Sequence, residues 1–446
     1  MKQLFAPLRR RFTTARWRTR LTLWIAATVA GLCVVMFARL ADLALALFAQ
    51  VTAGRGWLTL LLTPALGMLV VFLTRRYFPG SEGSGIPQVI AATRLSAAGK
   101  PVGGLISLRI ALAKVGLGTL ALSGGFSAGR EGPSVQVAAS LMHAAHRFLP
   151  NNRVVRVQDM ILAGGAAGIA AAFNTPLAGI AFAVEELGRK LETRTSGILL
   201  STIILCGMIS IGVQGDYNYF GRLNAVADSR AIILPVLTLG LLCGLLGGLF
   251  SLLLLLPQRY GHHALWRWRA AHPVWFAGIC GLVVASLGWA TGGLSFGSGY
   301  GVTNDIINHG QSIPWYSAPA RFMATLATYF SGIPGGIFAP SLAVGAALGG
   351  NVAQLFDLGA QPIIALCMAG FLAAVTQSPI TSAIIVMEMI DSHGMVISLM
   401  AVALIAKAVS SRLGPELYQQ LALGYWRRAQ QSVPDSTGAL TSKRAK

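Results

Sequence analysis

Residues 129–134 read GREGPS, and they set an arginine and a glutamate side by side in an otherwise strongly apolar stretch of the chain. Glycines flank the two charged residues, and Pro133 follows them. Proline is favoured in the first turn of a helix, so the motif predicts a polar break from which a new helix starts. A carboxylate in apolar surroundings is costly and is usually functional. Arg130 and Glu131 are therefore candidates for a functional site.

The rest of the sequence indicates a membrane protein. Of 446 residues, 54% are hydrophobic and only 11% are charged, against about 25% charged in a soluble domain. A membrane-spanning helix needs about 20 apolar residues. We expect an all-α polytopic membrane protein, because long apolar runs occur near residues 21–50, 57–74, 105–123, 160–184, 196–213, 231–256, 273–290, 362–387 and 395–410.

The formal charge of +20 admits two interpretations, nucleic-acid binding or the basic bias of cytoplasmic loops in membrane proteins. The distribution favours the second, because basic residues collect immediately before the first apolar run. We therefore expect residues 1–20 to be cytoplasmic, to face membrane lipid and to bind no nucleic acid. This segment contains no acidic residue and seven basic ones, Lys2, Arg9, Arg10, Arg11, Arg16, Arg18 and Arg20.

The residue patterns do not indicate metal binding, cofactor binding or enzyme activity. The five cysteines show no paired spacing, and the seven histidines show no zinc-binding arrangement. These features predict no metal and no cofactor. The sequence contains no HExxH motif and no paired aspartates, so we expect no enzyme activity.

Two segments in the first half of the sequence match two in the second half. Residues 130–141 align with 337–348, and residues 174–186 align with 377–389, at offsets of 207 and 203. The matches predict two structural repeats, over about 30–225 and 230–425. Repeats with helices broken by glycine and proline are typical of transporters, which bind substrate near the membrane midplane.

Three glycine-rich stretches each precede an apolar helix: SEGSGIPQV (81–89), SGGFSAGREGP (123–133) and SGIPGGIFAP (331–340). Helix N-termini attract anions, and glycines expose the backbone amides. The sequence therefore predicts a midplane anion site where the three N-termini meet. The residues expected around it are Gly83, Gly85, Gly129, Arg130, Gly132, Gly335 and Gly336.

The glutamates allow more than one interpretation. A bound anion and the Glu131 carboxylate would interact with the same amides, so they should compete, and protonation of Glu131 should open the site. The alternative is a fixed Arg130–Glu131 ion pair. Glu185 and Glu186 are either a helix end neutralised by Arg189 and Lys190, or a proton access point opposite Glu131.

The motifs GSGIPQ (83–88), GREGPS (129–134), GIFAPS (336–341) and LYQQ (417–420) resemble those of the CLC family of chloride channels and chloride/proton exchangers. The resemblance covers about residues 30–425, and it is to bacterial members without cytoplasmic regulatory domains. It implies a CLC-like fold of two inverted-topology repeats. The sequence departs from the family pattern at Gln88, where a glutamate is usual.

The resemblance also implies roles for single residues. The hydroxyls of Ser84 and Tyr418 and the backbone amides of Ile337 and Phe338 would bind chloride. Glu131 would be the external gating glutamate, and Glu186 the internal proton-transfer glutamate.

At the level of the whole protein, the resemblance implies chloride transport, with chloride/proton exchange gated by Glu131 favoured. A passive pH- or voltage-gated chloride channel on the same fold is the alternative. We expect a homodimer in the bacterial inner membrane, with both termini cytoplasmic. Residues 21–425 would form one transmembrane domain, and 426–446 a short polar tail.

Overall fold

The computed structural model describes residues 14–149, 155–188, 196–215, 220, 231–309, 313–356 and 358–431. These residues form nineteen α-helices and contain no β-strand beyond isolated bridges. The helices are α1 Thr14–Thr52, α2 Thr59–Tyr77, α3 Ile86–Ala97, α4 Leu108–Leu122, α5 Glu131–Ala145, α6 Val157–Phe173, α7 Pro176–Phe182, α8 Ser196–Gln214, α9 Ile233–Leu254, α10 Leu256–Arg259, α11 Ala264–Ala271, α12 Pro273–Ala290, α13 Tyr300–His309, α14 Ser317–Ser331, α15 Phe338–Val352, α16 Ala360–Thr376, α17 Pro379–Met389, α18 Val396–Leu413 and α19 Leu417–Gln431.

Six helical segments in the described residues are long and apolar enough to cross a membrane. They are Trp17–Thr52, Gly56–Tyr77, Gly197–Gln214, Ile233–Leu254, Pro273–Ala290 and His393–Leu413. Large apolar side chains on their outer faces, such as Leu43 and Met208, are exposed. Lipid tails are as apolar as these side chains, so their exposure to the membrane interior has no hydrophobic cost. The protein is therefore a multi-pass α-helical membrane protein, as the sequence predicts.

Two of the predicted apolar runs are each divided into two shorter helices. The run at 160–184 becomes α6 and α7, and the run at 362–387 becomes α16 and α17. The breaks lie at Asn174 and Gln377, which adopt left-handed backbone conformations with φ of 60° and 61°. A left-handed residue ends a helix, and the proline two positions later starts the next one. Each run is thus a broken helix and not one straight span.

The helices repeat in length and order at the predicted offsets. Helices α5 and α15 have 15 residues each, and α6 and α16 have 17 each. Within each repeat, the two helices, α5 with α6 and α15 with α16, pack closely against each other at a glycine. A Cβ on Gly168 of α6 would lie 2.6 Å from the carbonyl oxygen of Ser134, and one on Gly345 of α15 would lie 2.6 Å from that of Cys367. Small residues allow this close approach of membrane helices.

The two repeats exchange helix caps at equivalent positions. The Glu388 carboxylate accepts hydrogen bonds from the amides of Leu177 and Ala178 at the start of α7 (3.1 and 2.7 Å). The Glu185 carboxylate accepts equivalent bonds at the start of α17 (3.2 and 2.7 Å). Each donor and each acceptor has its counterpart 203 residues away. Such reciprocity is the signature of a pseudo-two-fold relation between the repeats.

Helices α1 and α2 define the two sides of the molecule. Helix α1 starts on the side that we name the N-terminal side, and its 39 residues reach the opposite side. After a short link, the 19 residues of α2 return and end at Tyr77 on the N-terminal side. Helix α19 continues to Gln431, so the first residues of the predicted tail are helical. Residues 1–13 and 432–446 lie outside the described ranges.

Candidate functional site: a central anion site between two glutamates

The three glycine-rich loops meet at the centre of the molecule. The amide of Gly83 donates to the carbonyl of Ile333 (3.1 Å), and the amide of Gly335 donates to the carbonyl of Gly83 (3.0 Å). Gly129 and Gly336 exchange two backbone hydrogen bonds of 2.7 Å in an antiparallel bridge. These five residues come from motifs about 50 to 250 positions apart, so the predicted convergence of the loops is present in the structure.

Three helices start at this meeting point. Helix α3 follows Gly85, α5 starts at Glu131, and α15 starts at Phe338. The first amides of an α-helix have no partner within their own helix, and the helix dipole adds partial positive charge there. The amides of Ile337 and Phe338 lie in this position at α15. The arrangement stabilises an anion without a cationic side chain in direct contact.

Glycine is required where the loops touch. A Cβ on Gly132 would lie 2.3 Å from the Ser84 hydroxyl and 3.3 Å from the Cα of Gly336. One on Gly85 would lie 2.7 Å from the Gly132 carbonyl oxygen, and Gly85 also has a φ of 103°, which disfavours other residues. The glycines thus bring Ser84 against the start of α5.

Two hydroxyl groups point into the same small region. Ser84 is 4% exposed and Tyr418 is fully buried. Their hydroxyls lie within interaction range of each other, yet neither oxygen has a hydrogen-bond partner among the described residues. The ring of Tyr418 stacks on that of Phe338, with centroids 5.9 Å apart. Two buried donors without protein acceptors, beside the first amides of α15, suit an anion.

A buried lysine holds one of the loops, and the sequence reasoning missed it. Lys114 of α4 is fully buried, and its Nζ donates to the carbonyls of Ser81 (2.9 Å) and Gly83 (2.6 Å). Lys114 therefore holds the backbone of the Ser84 loop against α4. The available signal was a single lysine in the apolar segment IALAKVGLG, since a charge in such a segment is usually functional.

Gln88, the departure from the family pattern, has a structural role. Its side-chain oxygen accepts from the Gly85 amide (3.1 Å) and thereby caps α3. Its amide nitrogen donates to the Glu82 carbonyl (2.5 Å) and to the Tyr425 hydroxyl (3.2 Å). Gln88 consequently fixes the Ser84 loop to α19, the helix that carries Tyr418.

Glu131 is fully buried at the first position of α5. A Cβ added to Gly129 would lie 2.2 Å from a Glu131 carboxylate oxygen and 3.2 Å from Pro340. The carboxylate is thus folded back toward the start of α15, where the Ala339 amide lies within electrostatic range. Within the described part of the chain, neither carboxylate oxygen has a hydrogen-bond partner. Glu131 therefore faces the amides that would also stabilise an anion.

Arg130 has a partner other than its neighbour Glu131. Its guanidinium lies 2.7 Å from the Asp42 carboxylate and donates to the Ala38 carbonyl (2.8 Å). Both partners belong to α1. This ion pair replaces the Arg130–Glu131 pair considered as the alternative, because adjacent residues at a helix start point in different directions.

Glu186 is buried, with 3% of its surface exposed, in the π-helical segment Ala183–Gly188. The Ser378 hydroxyl donates to its carboxylate, and the Gln419 side chain donates to its backbone carbonyl (3.2 Å). Because Glu186 is buried, it is not an exposed helix end. Arg189 and Lys190, the neutralising residues considered in that interpretation, lie outside the described residues. Glu185 caps α17 instead. Tyr418 lies within electrostatic range of both Glu186 and Glu131.

Cavities flank the centre on the two sides. On the N-terminal side, a cavity of about 160 Å³ is lined by Ser84 and Gly83. On the opposite side, a cavity of about 740 Å³ is lined by Asp42, Thr52 and Tyr300. The centre between them contains the Glu131 carboxylate. Asp42 of the larger cavity pairs with Arg130, the neighbour of Glu131.

The fold is similar to those of solved structures. A slow cyanobacterial Cl⁻/H⁺ antiporter matches with a TM-score of 0.80 at 24% identity, over 93% of this chain and 99% of that one. A CLC-type fluoride/proton antiporter matches at 0.76 and 23%, over 90% and 96%. A eukaryotic CLC transporter matches at 0.71 and 20%, over 91% and 74%. These likenesses confirm the predicted CLC-like fold.

The sequence itself matches a family model as well. The model of the voltage gated chloride channel family covers residues 66–411, which is more than half of the chain. The match includes the Ser84 loop, GREGPS and GIFAPS, and the resemblance inferred from these motifs is confirmed. This protein belongs to the voltage-gated chloride channel family, the CLC family.

Proposed function

We propose that this protein exchanges chloride for protons across the membrane. The observation that carries the proposal is a buried Glu131 carboxylate at the mouth of a site made of neutral donors. Chloride would be held by the hydroxyls of Ser84 and Tyr418 and the amides of Ile337 and Phe338. Neutral dipoles bind an anion weakly enough to let it leave, which transport requires.

Proton coupling follows from competition at the start of α15. When Glu131 is charged, its carboxylate faces the amides that chloride needs. Protonation neutralises the carboxylate and removes this competition, so that chloride passage and proton binding occur at one residue. Glu186, which is buried within electrostatic range of Tyr418, would supply protons from the side opposite Glu131. The antiporters of similar fold support this proposal.

The proposal is tested in proteoliposomes with purified protein, an imposed chloride gradient and no pH gradient. We expect chloride flow to drive protons uphill, detected by a pH electrode. Glu131→Gln removes the titratable group but keeps the size of the side chain, so it should abolish proton movement while chloride still flows. If the wild type conducts chloride without any change of pH, the protein is a passive channel. That result would contradict the proposed exchange.

Assembly and location are part of the same proposal. We propose a homodimer in a bacterial inner membrane, with both termini in the cytoplasm. The basic residues before the first apolar run support this orientation, because such residues collect on the cytoplasmic side. The N-terminal side of the structure would then be the cytoplasmic side, and Glu131 would close the path toward the exterior.

A further inference from the structure

The cavity on the N-terminal side is lined by several positively charged side chains. Three arginines surround it, Arg75, Arg269 and Arg428, together with Tyr329 and Tyr425. They come from α2, α11 and α19, elements far apart in sequence. The volume of the cavity is about 160 Å³. The arginines thus form a built site of limited size.

The three guanidinium groups are not neutralised by carboxylates. Within the described residues, no Asp or Glu oxygen lies within ion-pair distance of any of them. Arg269 donates to the Phe330 carbonyl (2.7 Å), and Arg428 lies over the Tyr425 ring at 5.7 Å. The cavity is also lined by one acid, Glu82, whose carboxylate accepts from the Gly80 amide (2.8 Å). The charge that remains in the cavity is therefore positive.

The chemistry of arginine indicates the ligand. Chloride is spherical, and the central site would hold it with hydroxyls and amides alone. A guanidinium presents a planar fork of donors that matches the paired oxygens of phosphate or carboxylate groups. Three forks around one cavity fit an anion with several oxygens better than a halide.

We propose that this cavity binds a phosphate group and that the bound group inhibits transport. Ser84 and Gly83 line the same cavity, so a phosphate held by the arginines lies in the path between the N-terminal side and the chloride site. Phosphate and chloride then compete for access. The expected inhibition of transport rests on the proposed function, whereas the binding site depends only on the arginines.

The first test uses phosphatidylcholine proteoliposomes with inorganic phosphate on both sides. We expect phosphate to inhibit chloride efflux, and higher chloride to relieve the inhibition. The double variant R75Q/R428Q should weaken phosphate inhibition at least about tenfold, because it removes two of the three charged donors around the cavity. The matched control R76Q/R427Q changes the adjacent exposed arginines, which do not line the cavity, and should keep wild-type inhibition.

Two further experiments are needed. One distinguishes a lipid phosphate from free phosphate, and the other tests the binding site independently of the proposed transport function. Vesicles that contain phosphatidic acid test a lipid headgroup, and inhibition that R75Q/R428Q relieves would assign the site to lipid phosphate. Calorimetric titration of inorganic phosphate into detergent-solubilised protein tests binding without transport. Binding lost in R75Q/R428Q but kept in R76Q/R427Q supports the site even if protons are not coupled. The site is refuted if neither phosphate source inhibits, or if both double variants behave alike.

Discussion

At the scale of single residues, Tyr418 connects the parts of the site. Its hydroxyl lies within range of Ser84, and its ring stacks on Phe338. The Tyr418 side chain also interacts electrostatically with Glu131 and Glu186. The neighbouring Gln419 holds the backbone of Glu186. The start of α19 therefore holds the proposed chloride donor Tyr418 and the backbone of Glu186 together, so adjacent residues would link the two proposed pathways.

Replacement of Glu186 by glutamine tests the proton pathway. Glutamine keeps the shape of the side chain and an oxygen that can accept from the Ser378 hydroxyl, but it cannot carry a proton. We expect chloride flux to persist and chloride-driven proton movement to fall to background in reconstituted vesicles. The chloride site itself contains no atom of Glu186, which is why chloride flux should survive.

The adjacent Glu185 provides a matched control for this change. Glu185→Gln is the same chemical substitution one residue away, at a carboxylate that caps α17 and is not buried like Glu186. Proton movement should be retained in this variant. If chloride-driven proton movement were equal in Glu186→Gln and the wild type, Glu186 would have no role in proton transfer.

At the scale of elements, the sequence predicts the apolar runs and the helix starts but not the partners of the charges. Pro133 indicates where a helix begins, since proline acts locally. The breaks at Asn174 and Gln377 were missed within the predicted runs, because apolar composition alone does not distinguish one long helix from two short ones. The Arg130–Asp42 pair was missed because it depends on how α1 packs on α5.

The contact between the α3 and α5 helix starts can be tested at Gly132. A methyl group there would meet the Ser84 hydroxyl and carbonyl at 2.3 and 2.8 Å. Gly132→Ala should displace Ser84 at a cost of about 1–3 kcal/mol. We expect chloride affinity, measured by calorimetry, to fall about tenfold or more, with a lower melting temperature.

Gly116→Ala is the control for this substitution. Gly116 lies within α4, and a methyl group there would meet nothing within 4 Å. Chloride affinity and melting temperature should not fall in this variant, since alanine is the better helix former. Unchanged chloride affinity in a folded Gly132→Ala protein would show that the Ser84 hydroxyl does not bind chloride.

At the scale of the whole molecule, the pseudo-two-fold relation explains why the site is central. Equivalent residues Gly129 and Gly336 pair with each other, so the starts of α5 and α15 meet where the two repeats meet. The helices then diverge from this point. The proposed anion site would consequently receive amides from both repeats, and the broken helices place those amides within the protein, where lipid does not contact them.

The exchanged caps should hold the repeats together with equal strength. Glu185→Ala and Glu388→Ala each leave two helix-start amides of the other repeat without a carboxylate, which should cost about 1–3 kcal/mol. We expect similar decreases in melting temperature for the two variants, measured in detergent by circular dichroism. Glu185→Gln and Glu388→Gln should have smaller, again matching, effects, because glutamine retains one acceptor oxygen. A large loss in only one variant would mean that the symmetry seen in the hydrogen bonds does not extend to their energies.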